Sequence, residues 1–215
     1  MHRELTIKSE SIVIAKSFNP FNFLIYPIEY KSLPFQYSPL DLTLLSPAIQ
    51  STANLSVLAT YIEGIKSEAG HDTLKFLSNL TQQIHSDFTV ESRETGNPME
   101  PSQTFERKSG SCRDLSWMLI HILRQSGIAS RFVSGYFYFH SDSPDFELHA
   151  WVEVYIPGAG WIGLDPSHGM ITGHSHIPVA SSAFYENTMP VTGSSRGEAS
   201  GNLSTYLSIG EIKPA

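Results

Sequence analysis

Between Ser109 and Asp165 the hydrophobic pattern switches from a helical period to extended runs, and that switch limits what this chain can fold into. Leu115, Met118, Leu119, Ile122 and Leu123 fall at i, i+3, i+4, i+7 and i+8, which predicts one amphipathic helix starting beside Cys112. Gly127 then stops the helix as a left-handed C-terminal cap would. Three extended segments follow. Residues 131–139 are rich in aromatic and β-branched side chains and read as a buried strand. Residues 149–155 and 160–165 read as two more, turning through Pro157-Gly-Ala-Gly160. If that turn closes an antiparallel hairpin, His149 at the start of one strand lies beside Asp165 at the end of the next.

Cys112 is the sole cysteine of the 215 residues, so no intramolecular disulfide can form. Its local setting is the informative part. Ser111 suits an N-cap, and Asp114, three positions on, suits the reciprocal half of a capping box. That register places Cys112 in the first helical turn. Unpaired backbone N–H groups and the positive end of the macrodipole lie there, and both favour a thiolate. The same N–H groups can donate to an oxyanion forming on an attacked carbonyl. Cys112 as nucleophile, His149 as base and Asp165 as orienting acid therefore form a candidate triad. The plainer readings are a buried thiol, a strand-edge histidine and a turn aspartate before Pro166. Their predicted convergence favours the triad. Trp151 is expected on the other strand face from His149, with Trp117 and Trp161 as packing residues.

The remaining histidines carry less chemistry. His174 and His176 are expected on one strand face with His168 nearby, but no carboxylate pattern supports a metal there, and no cofactor is expected. His71, His85, His121 and His140 read as surface or capping residues, and Arg113 as a structural ion-pair member.

Composition enters as exclusion. A net charge of −7 argues against a nucleic-acid partner, which needs a basic face. No apolar run reaches the roughly 18 residues needed to cross a bilayer, so no membrane partner is expected. The first residues lack an apolar signal core, and the lone thiol fits a reducing compartment, so a cytoplasmic location is expected. Oligomeric state is not legible.

Upstream, Leu5, Ile7, Ile12 and Ile14 alternate with polar residues, predicting one or two extended segments. From Phe18 to Leu40 aromatics mix with Pro20, Pro27, Pro34 and Pro39, predicting an irregular connector whose rings pack on the later domain. Leu55, Leu58, Ile62 and Ile65 predict a helix ended by Gly70. A second is predicted from about Asp72 to His85, with Leu74, Leu77, Leu80, Thr81 and Ile84 inward. Phe88 to Pro101 reads as a surface loop. Past Asp165, a strand is predicted at 174–180, a mobile Gly/Ser-rich loop at 192–201, and a last strand through Leu203, Tyr206, Leu207 and Ile209.

Five stretches together resemble the transglutaminase-like superfamily, in particular bacterial members described as candidate cysteine proteases. They are Gly110-Ser-Cys-Arg-Asp114, Ala129-Ser-Arg-Phe-Val-Ser-Gly-Tyr136, His149-Ala-Trp-Val-Glu-Val-Tyr155, Gly158-Ala-Gly-Trp161 and Leu164-Asp-Pro166. The resemblance covers roughly residues 54–195. It implies an α+β, papain-like core with the catalytic cysteine at the N-terminus of a helix packed on an antiparallel sheet. By position it carries nucleophile, base and acid onto Cys112, His149 and Asp165. It implies a peptide or amide substrate, and members that hydrolyse amides, cross-link glutamine to amines, or have lost activity. Residues 1–50 are expected to be the tail of a preceding β-rich domain plus the connector, and residues 51–215 the catalytic domain. Pro-Ser follows Asp165 where relatives commonly carry Pro-Thr.

Overall fold

Each helix starts at a local signal. The computed structural model describes residues 5–17, 19–51, 53, 55–93, 96–139, 145–192 and 204–212. Helix α1, Pro39–Ile49, has proline at its first turn and Ser38 as cap, whose hydroxyl accepts from the Asp41 N–H at 3.1 Å. Helix α2, Ala59–Ala69, follows a 3-10 turn at Ser56–Leu58 and ends at Gly70, where φ is +61°. Helix α3, Thr73–Asp87, is capped by Asp72, which accepts from the Lys75 N–H at 2.8 Å. Strand β1, Thr89–Val90, leads past a loop to α4, Pro101–Arg107, and to β2, Ser109–Gly110. Helix α5, Cys112–Gln125, follows at once. Then come β3, Ser130–Phe139; β4, Asp145–Ile156; β5, Gly160–Asp165; β6, Met170–Ile171; and β7, His176–Ser182.

The architecture is α+β. Five antiparallel strands lie in the order β6-β5-β4-β3-β7, and β1 pairs with β2 in parallel as a separate two-stranded clasp before α5. Strand alternation divides β4: Ala150, Val152 and Val154 enter the core cluster with Leu115, Met118, Leu119 and Ile122 of α5. Burying each of these valine, leucine, isoleucine and methionine side chains fully stabilises the fold by about 1.5–3 kcal/mol. Two hydroxyls fasten helix to sheet: Ser116 donates to the Ala150 carbonyl and Ser130 to the Ile120 carbonyl, each at 3.1 Å. The buried Arg124 guanidinium binds the carbonyls of Gln50, Ser130 and Ala183, joining three segments at the far end of α5.

The connector packs as expected in part. Tyr30, Leu33 and Tyr37 are buried, and the Tyr37 hydroxyl donates to the Tyr155 carbonyl at 2.6 Å while accepting the Ala129 N–H at 3.0 Å. Leu24, Tyr26 and Ile28 stay exposed. Several expectations fail. Residues 5–17 form no strand, and Ile7, Ile12 and Ile14 are exposed, because alternation makes a strand only where a partner edge accepts it. Residues 204–212 form none either, for the same reason. Residues 193–201 and Leu203 lie outside the described set. Helices α1 and α4 were missed, although Ser38-Pro39 and Pro101 are start signals. Leu74 is only partly buried, while Phe76 is fully buried in α3. His149 does not open its strand: β4 begins four residues earlier, where Asp145 pairs with Phe139.

Candidate active site

The capping box predicted at Ser111 forms, with the carboxylate doing more than expected. Asp114, fully buried, accepts the N–H and the hydroxyl of Ser111, both at 2.7 Å. Its other oxygen accepts from the Met99 N–H at 2.7 Å and from the Arg93 guanidinium at 2.5 Å. Burial alone would raise this carboxyl, but the hydrogen bonds from Met99 and Ser111 and the charge of Arg93 hold it below the usual carboxylate range. A side chain at Gly110 would put its Cβ 2.8 Å from that of Asp114, so the close approach requires glycine. Arg113 donates to the carbonyls of Gly96 and Arg93. The described part of the 91–100 loop is thus strapped to the first turn of α5, which fixes where the half-buried Cys112 sits.

His149 and Asp165 meet as the hairpin predicted. The β4–β5 register pairs Val152 with Leu164, which brings the end of β5 alongside the middle of β4. His149 Nε2 lies 2.8 Å from Asp165 Oδ2, and both side chains are fully buried. Burial alone would lower the imidazole pKa, but the contacts with Asp165, Cys112 and Glu147 outweigh it and raise the value above the usual imidazole range. Asp165 moves down: burial opposes ionisation, and three histidines overcome it. Glu147 Oε1 comes within 2.9 Å of His149 Nδ1, yet that nitrogen has no aligned hydrogen-bond partner, so the contact is electrostatic. The thiol of Cys112 is in reach of the imidazole without the alignment of a finished hydrogen bond, as is common in unliganded sites.

Two participants were not anticipated in their place. His168 Nδ1 is 2.7 Å and His176 Nε2 2.9 Å from the same Oδ2. The other oxygen, Oδ1, accepts the N–H groups of Ser167 at 2.9 Å and His168 at 3.2 Å, a turn in which aspartate binds its own following backbone. Asp-Pro-Ser-His carried that signal, because such a turn folds the fourth residue back onto the first. His176 arrives from β7, and nothing local announces it. His174, expected beside it, precedes the strand and is exposed. Among the described residues, the group whose atoms converge within 4.8 Å and could hold a metal ion is His149, Asp165 and His168.

Aromatic packing encloses the cluster. Phe137 stacks on His168 at 4.3 Å and meets His176 edge-on at 5.1 Å. Trp151 lies on the same side as His149, with ring centroids 6.2 Å apart, correcting the expectation of opposite faces: residues two apart share a face of a strand. At Gly135, paired with His149 across β3–β4, an added Cβ would come 2.7 Å from the Trp151 ring and 2.2 Å from the Ile177 carbonyl. Glycine there lets β7 carry His176 inward. His121 is also corrected: it is buried, faces the Ser51 hydroxyl at 2.8 Å, and is pushed down to about 4 by desolvation and Arg124. His71 and His85 contact the carbonyls of Leu33 and Ser167, and His140 lies outside the described residues. Trp117 and Trp161 pack, the first on Tyr185 and the second on Tyr155.

Comparison with known proteins gives the same outline. An uncharacterised protein of Mycobacterium bovis is 28% identical over 132 residues, 56% of this chain but only 41% of that protein's length. An uncharacterised Mycobacterium leprae protein is 24% identical over 213 residues, covering 97% of this chain and 74% of that one. A protein-glutamine gamma-glutamyltransferase of Pseudomonas aeruginosa is 30% identical over 88 residues, 38% of this chain and 13% of its own. Among solved structures, a Cytophaga hutchinsonii protein provisionally assigned as a cysteine protease superposes with a TM-score of 0.56 at 21% identity, over 77% of this chain and 55% of that one, a likeness of fold. The family described as the transglutaminase-like superfamily matches residues 59–166, half of the chain, from the start of α2 to the proline after Asp165. This chain therefore belongs to the transglutaminase-like superfamily.

Proposed function

We propose that the chain is a thiol-dependent amide or peptide hydrolase, or acyl transferase, working through a thioester on Cys112. One observation carries the reading: a buried histidine bound through Nε2 to a buried aspartate, with Nδ1 lacking any aligned partner and the Cys112 thiol in reach. In this reading His149 takes the thiol proton as Sγ attacks the amide carbonyl. The tetrahedral oxyanion forms beside the backbone N–H groups of Cys112 and Arg113 at the start of α5, which have no acceptor inside the helix. Collapse breaks the C–N bond, His149 returns the proton to the leaving amine, and the acyl group stays on sulfur. Water or an amine then attacks the thioester, with His149 as base, and frees the thiol. Asp165 keeps the imidazole in the tautomer whose free nitrogen faces sulfur.

Hydrolysis is the favoured outcome. Water is present at about 55 M, so an amine prevails only where a site binds and orients it. The rim contributed by the 91–100 loop is polar and strapped down, and its described residues form no aromatic wall. The second reading, transglutamination, is favoured by the similarity to the Pseudomonas aeruginosa gamma-glutamyltransferase. The test is a peptide library that includes glutamine-containing members, supplied with and without a millimolar primary amine and read by mass spectrometry. Free acid as main product supports hydrolysis, whereas amide product would make the chain a transglutaminase. Turnover that persists in Cys112→Ala would overturn both.

A further inference from the structure

Asp165 carries more donors than orienting one imidazole requires. Three nitrogens from three elements reach one oxygen, Oδ2: His149 Nε2 at 2.8 Å from β4, His168 Nδ1 at 2.7 Å from the turn after β5, and His176 Nε2 at 2.9 Å from β7. Oδ1 is taken by two backbone N–H groups. An ionised carboxylate only accepts, so each imidazole must present an N–H to it.

For His176 that requirement is met by the backbone. The Gly173 N–H points at its Nδ1 at 3.4 Å, a nitrogen that must then accept, leaving the hydrogen on Nε2 toward Asp165. His176 is thereby a neutral donor with a fixed tautomer, buried and braced edge-on by Trp151 at 5.2 Å and by Phe137. His168, about one third exposed, is held flat against Phe137 and donates from Nδ1. The two approach Oδ2 from other elements than His149 does. A rotation of the Asp165 carboxylate about its Cβ–Cγ bond would break both contacts together with the one to His149.

We infer that His176 and His168 are positioning residues: they lock the Asp165 carboxylate in the one orientation that holds His149 by its Nε2–H. The inference rests on the catalytic reading above for its consequence in turnover, but the lock itself is a property of the histidine–aspartate cluster. Neither residue touches substrate in this role. His168 and His176 act through Asp165.

The experiment compares donor-removing with donor-keeping substitutions in the full chain. His176→Leu and His168→Ala remove the donor; His176→Gln and His168→Asn keep an amide N–H at about the same reach. Expected for the first pair is a fall in kcat of roughly 10- to 100-fold with KM unchanged, and slower iodoacetamide alkylation of Cys112 at pH 6 relative to pH 9. The second pair should recover most of both. A merely structural role would give equal losses for Leu and Gln at position 176. In parallel, 1H and 15N spectra of the His149 Nε2–H in a Cys112→Ala background read the lock directly. A slowly exchanging Nε2–H held by Asp165 should be present in the parent, broadened or lost in His176→Leu, and restored in His176→Gln. An unchanged Nε2–H resonance in both donor-removing variants would overturn the inference even if the enzyme is active. If the parent chain turns over nothing and its thiol alkylates as an ordinary one, the catalytic reading falls while the spectra still decide the lock.

Discussion

Two aspartates flank the thiol, and both are fully buried, yet they hold opposite kinds of environment. Asp114 is tied to two backbone N–H groups, a serine hydroxyl and one arginine. None of those partners changes protonation near neutral pH, so the carboxylate is a fixed strut between the 91–100 loop and the start of α5. Asp165 is tied to three imidazoles and two backbone N–H groups. Imidazoles can gain, lose and relocate protons, so this carboxylate sits in a network that can respond to chemistry. The same residue type, equally buried and equally satisfied, is held by fixed donors in one place and by titratable ones in the other. Burial and a displaced pKa do not separate the two; the titratability of the partners does.

The largest effect is expected at the sulfur between them. Cys112→Ala should abolish turnover of any peptide substrate found, with a melting temperature close to the parent's, because only one partly buried sulfur is lost; activity assays beside thermal melts check this.

Next comes the contrast itself. Asp165→Asn should lower kcat by roughly 10²–10⁴ with the fold retained, since tautomer control is lost. Asp114→Asn should behave in reverse: about 3–5 kcal/mol of stability lost from breaking a buried ion pair and cap, with kcat per folded molecule changed far less. Urea unfolding and steady-state kinetics on both variants decide it. If Asp114→Asn proves the greater catalytic lesion, the distinction between strut and network collapses.

A smaller effect is predicted in the pH dependence of stability. Both carboxyls are depressed in the folded state, so each contributes stability that is present above the unfolded value near 3.9 and is lost as pH falls through the folded value. His149 is raised, so its pairing contributes fully below the unfolded value near 6.5 and is lost as pH rises through the raised folded value. The network therefore weakens on both sides of neutrality and the strut only on the acid side. Melting curves from pH 7 to 10 should fall less steeply for Asp165→Asn than for the parent, and unchanged in slope for Asp114→Asn. A parallel alkaline slope in all three chains would refute the assignment.

The smallest change lies outside both sites and sets their baseline. Tyr37→Phe removes a hydroxyl that donates to Tyr155 and accepts from Ala129, so about 1–3 kcal/mol should be lost with kcat unaltered. Denaturant midpoints measure it. No loss would mean that the connector merely lies on the domain.

Much of the fold was legible wherever a signal is local. The period of Leu115 to Leu123 specified α5, Gly70 and Gly127 stopped their helices with φ of +61° and +79°, and Asp72 and Ser111 capped theirs. Helices α1 and α4 had such signals too, and a proline-rich setting hid them. The alternating isoleucines of 5–17 misled, because a strand needs an edge to join and alternation does not supply one. His121 read as a surface residue because a single histidine on a helix carries no mark of what packs over it.

By itself the sequence determined the helix that bears Cys112, the box that caps it, and the hairpin that sets His149 beside Asp165. All of these are contacts between residues near in the chain, governed by spacing, capping and turn chemistry. Only the tertiary structure decided that Asp165 is shared by three histidines and that Asp114 reaches back to Arg93 and Met99. His176 comes to Asp165 because β7 pairs with β3 on the side away from β4, and Gly135 leaves the room for that approach. Strand order is chosen by the burial of whole faces rather than by any short motif, so which distant imidazole meets a given carboxylate is settled only when the sheet assembles.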